Sequence, residues 1–280
     1  MSSRLDLALT ALAPAIWGTT YVTTTTLLPP GYPLTAAALR ALPAGLLLLA
    51  LVRRLPEGVW WARAFVLGGL NFTVFWALLF VSAYRLPGGV AATIGALQPL
   101  LVIGLARVAL GRAIKPLAVV AAIAGAAGVA LLVLTPEAAL DPLGVAAGAA
   151  GACAMAAGTV LTRRWRPPVS LLGATAWQLT AGGLLLTPLA LAFEPPLPPL
   201  GVGNVAGFVY LGLIGAAFTY VLWFRGVARL EPSAVAALGF LSPVTAVAIG
   251  AFGLGETFTP PQMLGVAVVL GSVWLSQRAS

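Results

Sequence analysis

Apolar runs of about 18–24 residues, separated by prolines, glycines and arginines, succeed one another along the whole of this chain. Each is long enough to cross roughly 30 Å of hydrocarbon at about 1.5 Å per helical residue. Lipid offers no hydrogen bonds, so a run of this kind must satisfy its own N–H and C=O groups and is therefore helical. The composition agrees, with 60% hydrophobic and 8% charged residues, whereas a soluble domain carries about 25% charged residues. The expected fold is an all-α membrane protein of ten transmembrane helices, near 5–28, 33–52, 64–84, 88–108, 116–134, 142–162, 169–192, 203–225, 232–254 and 260–277. The breaks between them are Pro29-Pro30-Gly31, Arg53-Arg54-Leu55-Pro56, Thr135-Pro136 with Asp141-Pro142, and the stiff Pro195-Pro196-Leu197-Pro198-Pro199 loop.

The chain is also written twice. Residues 85–116, moved by 144 positions, meet 229–260 with 9 identities in 32 positions, among them Gly95 with Gly239, Pro99 with Pro243 and Gly111 with Gly255. The informative departure is Arg112 against Glu256, where a basic loop end has become acidic. We read two five-helix repeats, 1–136 and 141–280. Five is odd, so the second repeat enters the bilayer inverted.

Loop charge sets the orientation. With the N-terminus inside, the inner loops collect Arg4, Arg53, Arg54, Arg63, Arg107, Arg112, Lys115, Arg163, Arg164, Arg166, Arg225, Arg229 and Arg278, and the outer loops only Arg85. Basic residues concentrate on the cytoplasmic side, so both termini are expected there. The same distribution explains the +8 net charge as orientation and contact with anionic lipid rather than nucleic-acid binding.

With no histidine, histidine-based metal sites, triads and proton relays are excluded, and the single Cys153 rules out an internal disulfide. No metal and no cofactor is expected. An intramembrane enzyme would need a carboxylate pair or an activated nucleophile, and neither pattern occurs. No Asp or Glu lies deep in a span, so a proton-coupled antiporter and a multidrug cation pump both lack their usual buried carboxylate. Clustered Lys/Arg is missing from the spans too, which argues against phosphorylated sugars.

Trp17-Gly18, Arg40, Gln98-Pro99 and Gly111-Arg112, followed by Ser242-Pro243 and Gly255-Glu256, form an ordered set across two five-helix halves. In this the chain resembles the drug/metabolite transporter superfamily in its EamA-type branch, and within that branch it looks most like the YddG-type amino-acid exporters. The resemblance implies a central cavity built from the first, third, fourth, sixth, eighth and ninth spans, with the fifth and tenth peripheral. It also implies export of aromatic and other amino acids across the bacterial inner membrane.

Within such a cavity Asn71 and Gln98 are candidate substrate contacts, because an unsatisfied amide in lipid costs roughly 2–7 kcal/mol. Asn71 shares a helix face with Phe75. The alternative for each amide is an interhelical hydrogen bond, and for Gln178, on an outlying span, that alternative is preferred. Trp17 and Tyr21 are spaced to form one wall with Thr20, and Met155 with Thr159 to form another, unless both are plain packing. Phe240, Ser242 and Tyr220 enter as repeat mates of Ala96, Gln98 and Trp76. Trp60 and Trp61, in the loop after the second span, read as an interfacial belt. Arg40, two turns into its helix, is either a structural anchor or a carboxylate contact.

Pro99 and Pro243 interrupt equivalent spans and read as paired hinges for alternating access, or else as prolines tolerated in a packed bundle. The function expected is an uncoupled amino-acid exporter with broad preference for aromatic or hydrophobic neutral substrates. The competing readings are a multidrug, lipophilic-cation or other metabolite efflux transporter, and a membrane scaffold or receptor. The partners implied are a small-molecule substrate and membrane lipid; the sequence sets no oligomeric state.

Overall fold

Prolines open the helices of this chain. The computed structural model describes residues 2–85, 94–133, 141–254 and 259–279. Pro33, Pro116, Pro142, Pro232 and Pro260 each stand at a helix start, where the missing N–H costs nothing and the fixed φ suits the first turn. The helices are α1 (Ser2–Leu27), α2 (Pro33–Val52), α3 (Trp60–Gly68), α4 (Phe75–Arg85), α5 (Gln98–Leu110), α6 (Pro116–Val133), α7 (Pro142–Trp165), α8 (Leu171–Phe193), α9 (Val202–Gly212), α10 (Thr219–Arg229), α11 (Pro232–Leu238), α12 (Leu241–Leu254) and α13 (Pro260–Arg278). Two π-helical segments, π1 (Gly69–Val74) and π2 (Leu213–Phe218), join α3 to α4 and α9 to α10. There is no strand among the described residues.

Six stretches are long and apolar enough to cross a bilayer: Pro33–Val52, Trp60–Leu79, Pro142–Trp165, Leu171–Phe193, Val202–Arg229 and Pro232–Gly250. Their outward positions carry exposed aliphatic and aromatic side chains, including Leu46, Leu47, Phe65, Leu191 and Val209. Hydrocarbon accepts such a surface and water does not.

The helices fold against one another through small residues. Along the α2–α8 seam, a Cβ on Gly45 would strike Thr180 and one on Gly183 would strike the backbone of Leu42. In the α6–α13 pair, Gly128 faces Val268 and Val269, and Gly265 faces the Gly128 carbonyl. Close backbone approach of this kind drives helix association where the hydrophobic effect is absent. Polar caps close the ends. Asp141 Oδ1 accepts from the N–H groups of Leu143 and Gly144 at 2.8 and 3.1 Å. Glu194, at the end of α8, accepts from the N–H groups of Leu34 and Thr35 at 2.5 and 2.7 Å. That places a carboxylate on the positive end of α2.

The structure corrects two boundaries. Trp60 and Trp61 begin α3 rather than sitting in a loop; Trp60 lies 4.9 Å from the Arg63 guanidinium and 6.2 Å from the ring of Trp177. Arg225, the last residue of the expected eighth span, lies inside α10, which runs on to Arg229. Long basic side chains snorkel, so a helix continues past the point where charge first appears.

The expected breaks at the two prolines lie just before them. Turns at 96–97 and 239–240 precede Pro99 and Pro243. A proline has no N–H to offer the carbonyl four residues earlier, and the backbone tightens there into short bonds, Leu97 N–H to Ile94 O at 3.1 Å and Ser242 N–H to Gly239 O at 3.1 Å. The π segments are irregularities that sequence period does not reveal. Their residue numbers, 69–74 and 213–218, differ by the same 144 positions as the sequence repeat.

Candidate substrate site

π1 and π2 bring the chemistry together. A π segment disturbs the regular i→i+4 ladder, and such segments are frequent at functional sites. Asn71 and Gly215 stand at equivalent positions in the two segments, 144 residues apart, and each is the focus of a polar cluster.

At π2 the Gly215 carbonyl accepts three hydrogen bonds. They come from Arg40 Nη2 at 2.6 Å, Thr219 Oγ1 at 2.9 Å and Trp17 Nε1 at 3.2 Å; Trp17 Nε1 also reaches Thr219 Oγ1 at 2.9 Å. The Arg40 guanidinium sits 5.2 Å over the ring of Trp76, a cation–π distance. Its Nε is buried with no partner.

Around this point the aromatic rings converge. Trp17 lies 4.9 Å from Tyr220 and 5.2 Å from Trp223, and Phe72 lies 4.7 Å from Tyr220 and 5.3 Å from Trp76. All but the half-buried Trp17 are buried. Their tilted and edge-on arrangements suit the ring quadrupoles.

At π1 the fully buried Asn71 donates from Nδ2 to Gln178 Oε1 at 2.8 Å and to Thr162 Oγ1 at 3.4 Å. Gln178 therefore makes the interhelical hydrogen bond expected of it, but from a buried position and to a predicted site residue, not from the periphery. Asn71 Oδ1, Gln178 Nε2 and Thr159 Oγ1 are buried and unpartnered. An unmet buried polar group costs about 1–3 kcal/mol, so these atoms favour a polar visitor.

The remaining candidates divide. Phe75 packs partly buried against the central core that holds the aromatic cluster, and Met155 is buried in α7. Gln98 stands half-buried at the start of α5. Phe240 points elsewhere, into a second core with Ala96, Val129, Leu132 and Val269. Ser242 meets α1 through its backbone: a Cβ on Gly18 would overlap the Ser242 carbonyl and Thr245, so α1 crosses α12 closely only because residue 18 is glycine. The backbone of Tyr21 lies in α1 and its side chain is outside what the structure describes, as are Gly255 and Glu256.

Phe72 and Trp223 are cluster members that the sequence reading passed over. Their only signal is i, i+4 and i, i+3 spacing with Trp76 and Tyr220, which is faint in spans that are apolar on every face. A 380 Å³ depression lined by Arg54, Glu57, Trp60, Pro168 and Trp177 lies at the arginine-rich end and includes no residue of either cluster. Trp177 Nε1 donates there to the Arg54 carbonyl at 2.7 Å, and the aromatic and basic lining is that of a membrane interface.

The EamA-like transporter family model matches residues 5–134 and again 142–277. Protein PecM of Dickeya dadantii is 42% identical over 270 residues, covering 96% of this chain and 91% of that protein. The uncharacterized inner membrane transporter YedA of Escherichia coli K12 is 28% identical, covering 93% and 86%. A crystal structure superposes with a TM-score of 0.83 at 21% identity, covering 98% of this chain and 97% of that one, which establishes the common fold. With its apolar helices and these matches, the chain is an integral membrane protein and belongs to the EamA-like transporter family.

Proposed function

We propose that this transporter exports neutral amino acids, aromatic and hydrophobic ones foremost, by alternating access and without ion coupling. The observation that carries the reading is the pairing of an aromatic cluster with an under-satisfied amide cluster on adjoining residues, Phe72 and Asn71. An amphiphilic zwitterion needs both surfaces at once: ring faces for its side chain, and amides for its charged backbone groups. The rings close on one another in this conformation, so a substrate enters as they part.

Two inverted five-helix units, ten spans in all, with both termini in the cytoplasm of the bacterial inner membrane, provide the frame for this mechanism. The recurrence of the π segments at the 144-residue offset of the sequence repeat, with a turn shortly before each of Pro99 and Pro243, supports that division. The uncoupled mechanism rests on the charge inventory. The buried carboxylate among the described residues, Asp6, is paired with Arg225 at 2.6 Å near the start of α1, away from both clusters.

The test is flux of labelled phenylalanine in proteoliposomes, with and without a pH gradient. We expect saturable flux that a pH gradient does not drive to accumulation, and a marked loss in Asn71→Ala and Gln98→Ala. Steady gradient-driven accumulation would remove the uncoupled mechanism. Absence of flux for every amino acid tried would remove the substrate assignment.

A further inference from the structure

We propose that Arg40 is the anion receptor of the transport path and that it takes a single carboxylate of an aromatic or amphiphilic substrate. This deepens the amino-acid reading and rests on it for the identity of the ligand, though the receptor itself is argued from geometry alone.

Arg40 lies seven residues past Pro33 in a helix that is otherwise uncharged. A cation at such a depth is costly to insert into hydrocarbon. Arginines that serve structure alone are ordinarily paired with an acid or fully bonded to carbonyls. Arg40 is neither. The ion pairs among the described residues are Arg85–Asp141, Arg112–Glu231, Arg225–Asp6 and Arg229–Asp6. Of the five N–H groups a guanidinium offers, Nη2 is bonded to the Gly215 carbonyl, while Nε is buried and unpartnered.

The hydrogen bond to Gly215 and the stack on Trp76 hold the cation without neutralising it. The Gly215 carbonyl and the Trp76 face are both neutral, and both fix the plane of the guanidinium. An oriented, charged and incompletely bonded fork is the arrangement that recognises a carboxylate. The number of charges narrows the class further. One cation, with no second Lys or Arg acting on it among the described residues, matches a monoanion and not a phosphate dianion. The neighbouring rings narrow it again: Trp76 lies beside the fork, and Phe72 and Tyr220 pack against Trp76 at 5.3 and 6.4 Å, where the apolar part of the same ligand would stack. The receptor is thus for an aromatic or amphiphilic monocarboxylate, with Asn71 and Gln178 one segment away for its remaining polar groups.

The experiment uses the intact protein in detergent and in proteoliposomes. Quenching of intrinsic tryptophan fluorescence is measured with 3-phenylpropionate and with 3-phenylpropionamide, which have nearly the same shape and differ in charge and in one acceptor oxygen replaced by a donor NH2. The wild type should bind the acid at least about tenfold more tightly than the amide. Arg40→Lys should keep that preference with weaker affinity, and Arg40→Gln should bind acid and amide equally. The wild-type comparison needs no variant, so it stands even where Arg40→Gln fails to fold. Equal affinity of the wild type for acid and amide would overturn the proposal, as would a folded Arg40→Gln that still prefers the acid. Phenylalanine flux in the same liposomes separates the two readings. An Arg40-dependent acid preference without phenylalanine flux supports the receptor and ends the amino-acid assignment. Phenylalanine flux without acid preference does the reverse.

Discussion

Asn71 and Gln178 hold each other in a setting where neither has water to fall back on. Replacing one leaves the other amide unmet, whereas replacing both by Leu removes the need. We therefore expect Asn71→Leu and Gln178→Leu each to lower the melting temperature in detergent, and the double variant to be less destabilised than their sum. The coupling should be about 0.6–2 kcal/mol, the range for interhelical bonds in membranes. Additive losses would mean that the 2.8 Å bond contributes nothing. Gly158 tests the same cluster by size. A Cβ there would overlap the Asn71 carboxamide, so Gly158→Ala should destabilise by about 1–3 kcal/mol, as overpacking does. Asp141 is a third residue-scale case. The Gly144 N–H above all, then that of Leu143 and the nearby Arg85, hold its carboxyl below its ordinary value, against the opposing pull of burial. A depressed carboxylate stabilises the fold above its unfolded pKa, and that contribution is lost as pH falls through the folded value. The melting temperature should thus fall on acidification below about pH 4. Asp141→Asn, which still caps the helix, should flatten that part of the profile.

At the scale of elements, the two prolines and the two π segments mark where helices depart from the regular ladder. Ala at position 99 or 243 restores an N–H that can reach the carbonyl of Gly95 or Gly239 and straighten the turn before it. We expect Pro99→Ala and Pro243→Ala to slow flux more than they weaken substrate binding. Unchanged flux in both variants would remove the hinge. The first of these turns follows residues 86–93, which lie outside the described part, so the comparison is cleaner at Pro243, where α11 and α12 flank the turn on both sides.

At the scale of the whole molecule, the arginine-rich end is closed by ions that link the two halves of the chain. Asp6 on α1 meets Arg225 and Arg229 on α10 at 2.6 and 3.3 Å, and Arg112 after α5 meets Glu231 before α11 at 3.4 Å. Within the second half, the Arg163 guanidinium adds bonds to the carbonyls of Val227 and Leu230 at the same end. Asp6 is 5% exposed, so removing it leaves two guanidinium groups facing a vacated acceptor. In an alternating-access cycle these contacts break when this end opens. Asp6→Asn should raise the rate at which a polar maleimide labels Thr10→Cys, one turn further in and fully buried here, in a Cys153→Ser background. An unchanged labelling rate would show that this end is held shut by packing instead.

The sequence by itself determined that this chain is helical, lies in a membrane and repeats at an offset of 144. Each of those facts follows from local properties: run length against bilayer thickness, the missing N–H of proline, and a pattern compared with itself. It also named Trp17 and Asn71, since amides and amphipathic rings stand out against an apolar background, and Tyr220 as the repeat mate of Trp76. It did not say which of them meet. Phe240 and Tyr220 looked equivalent by spacing, yet one packs beside α6 and α13 and the other beside Trp17. The reach of Arg40 to Gly215, 175 residues away, is likewise visible only in the folded chain. In a helix apolar on every face the period carries no contrast, so the direction a side chain takes is decided by the neighbours that tertiary packing brings to it.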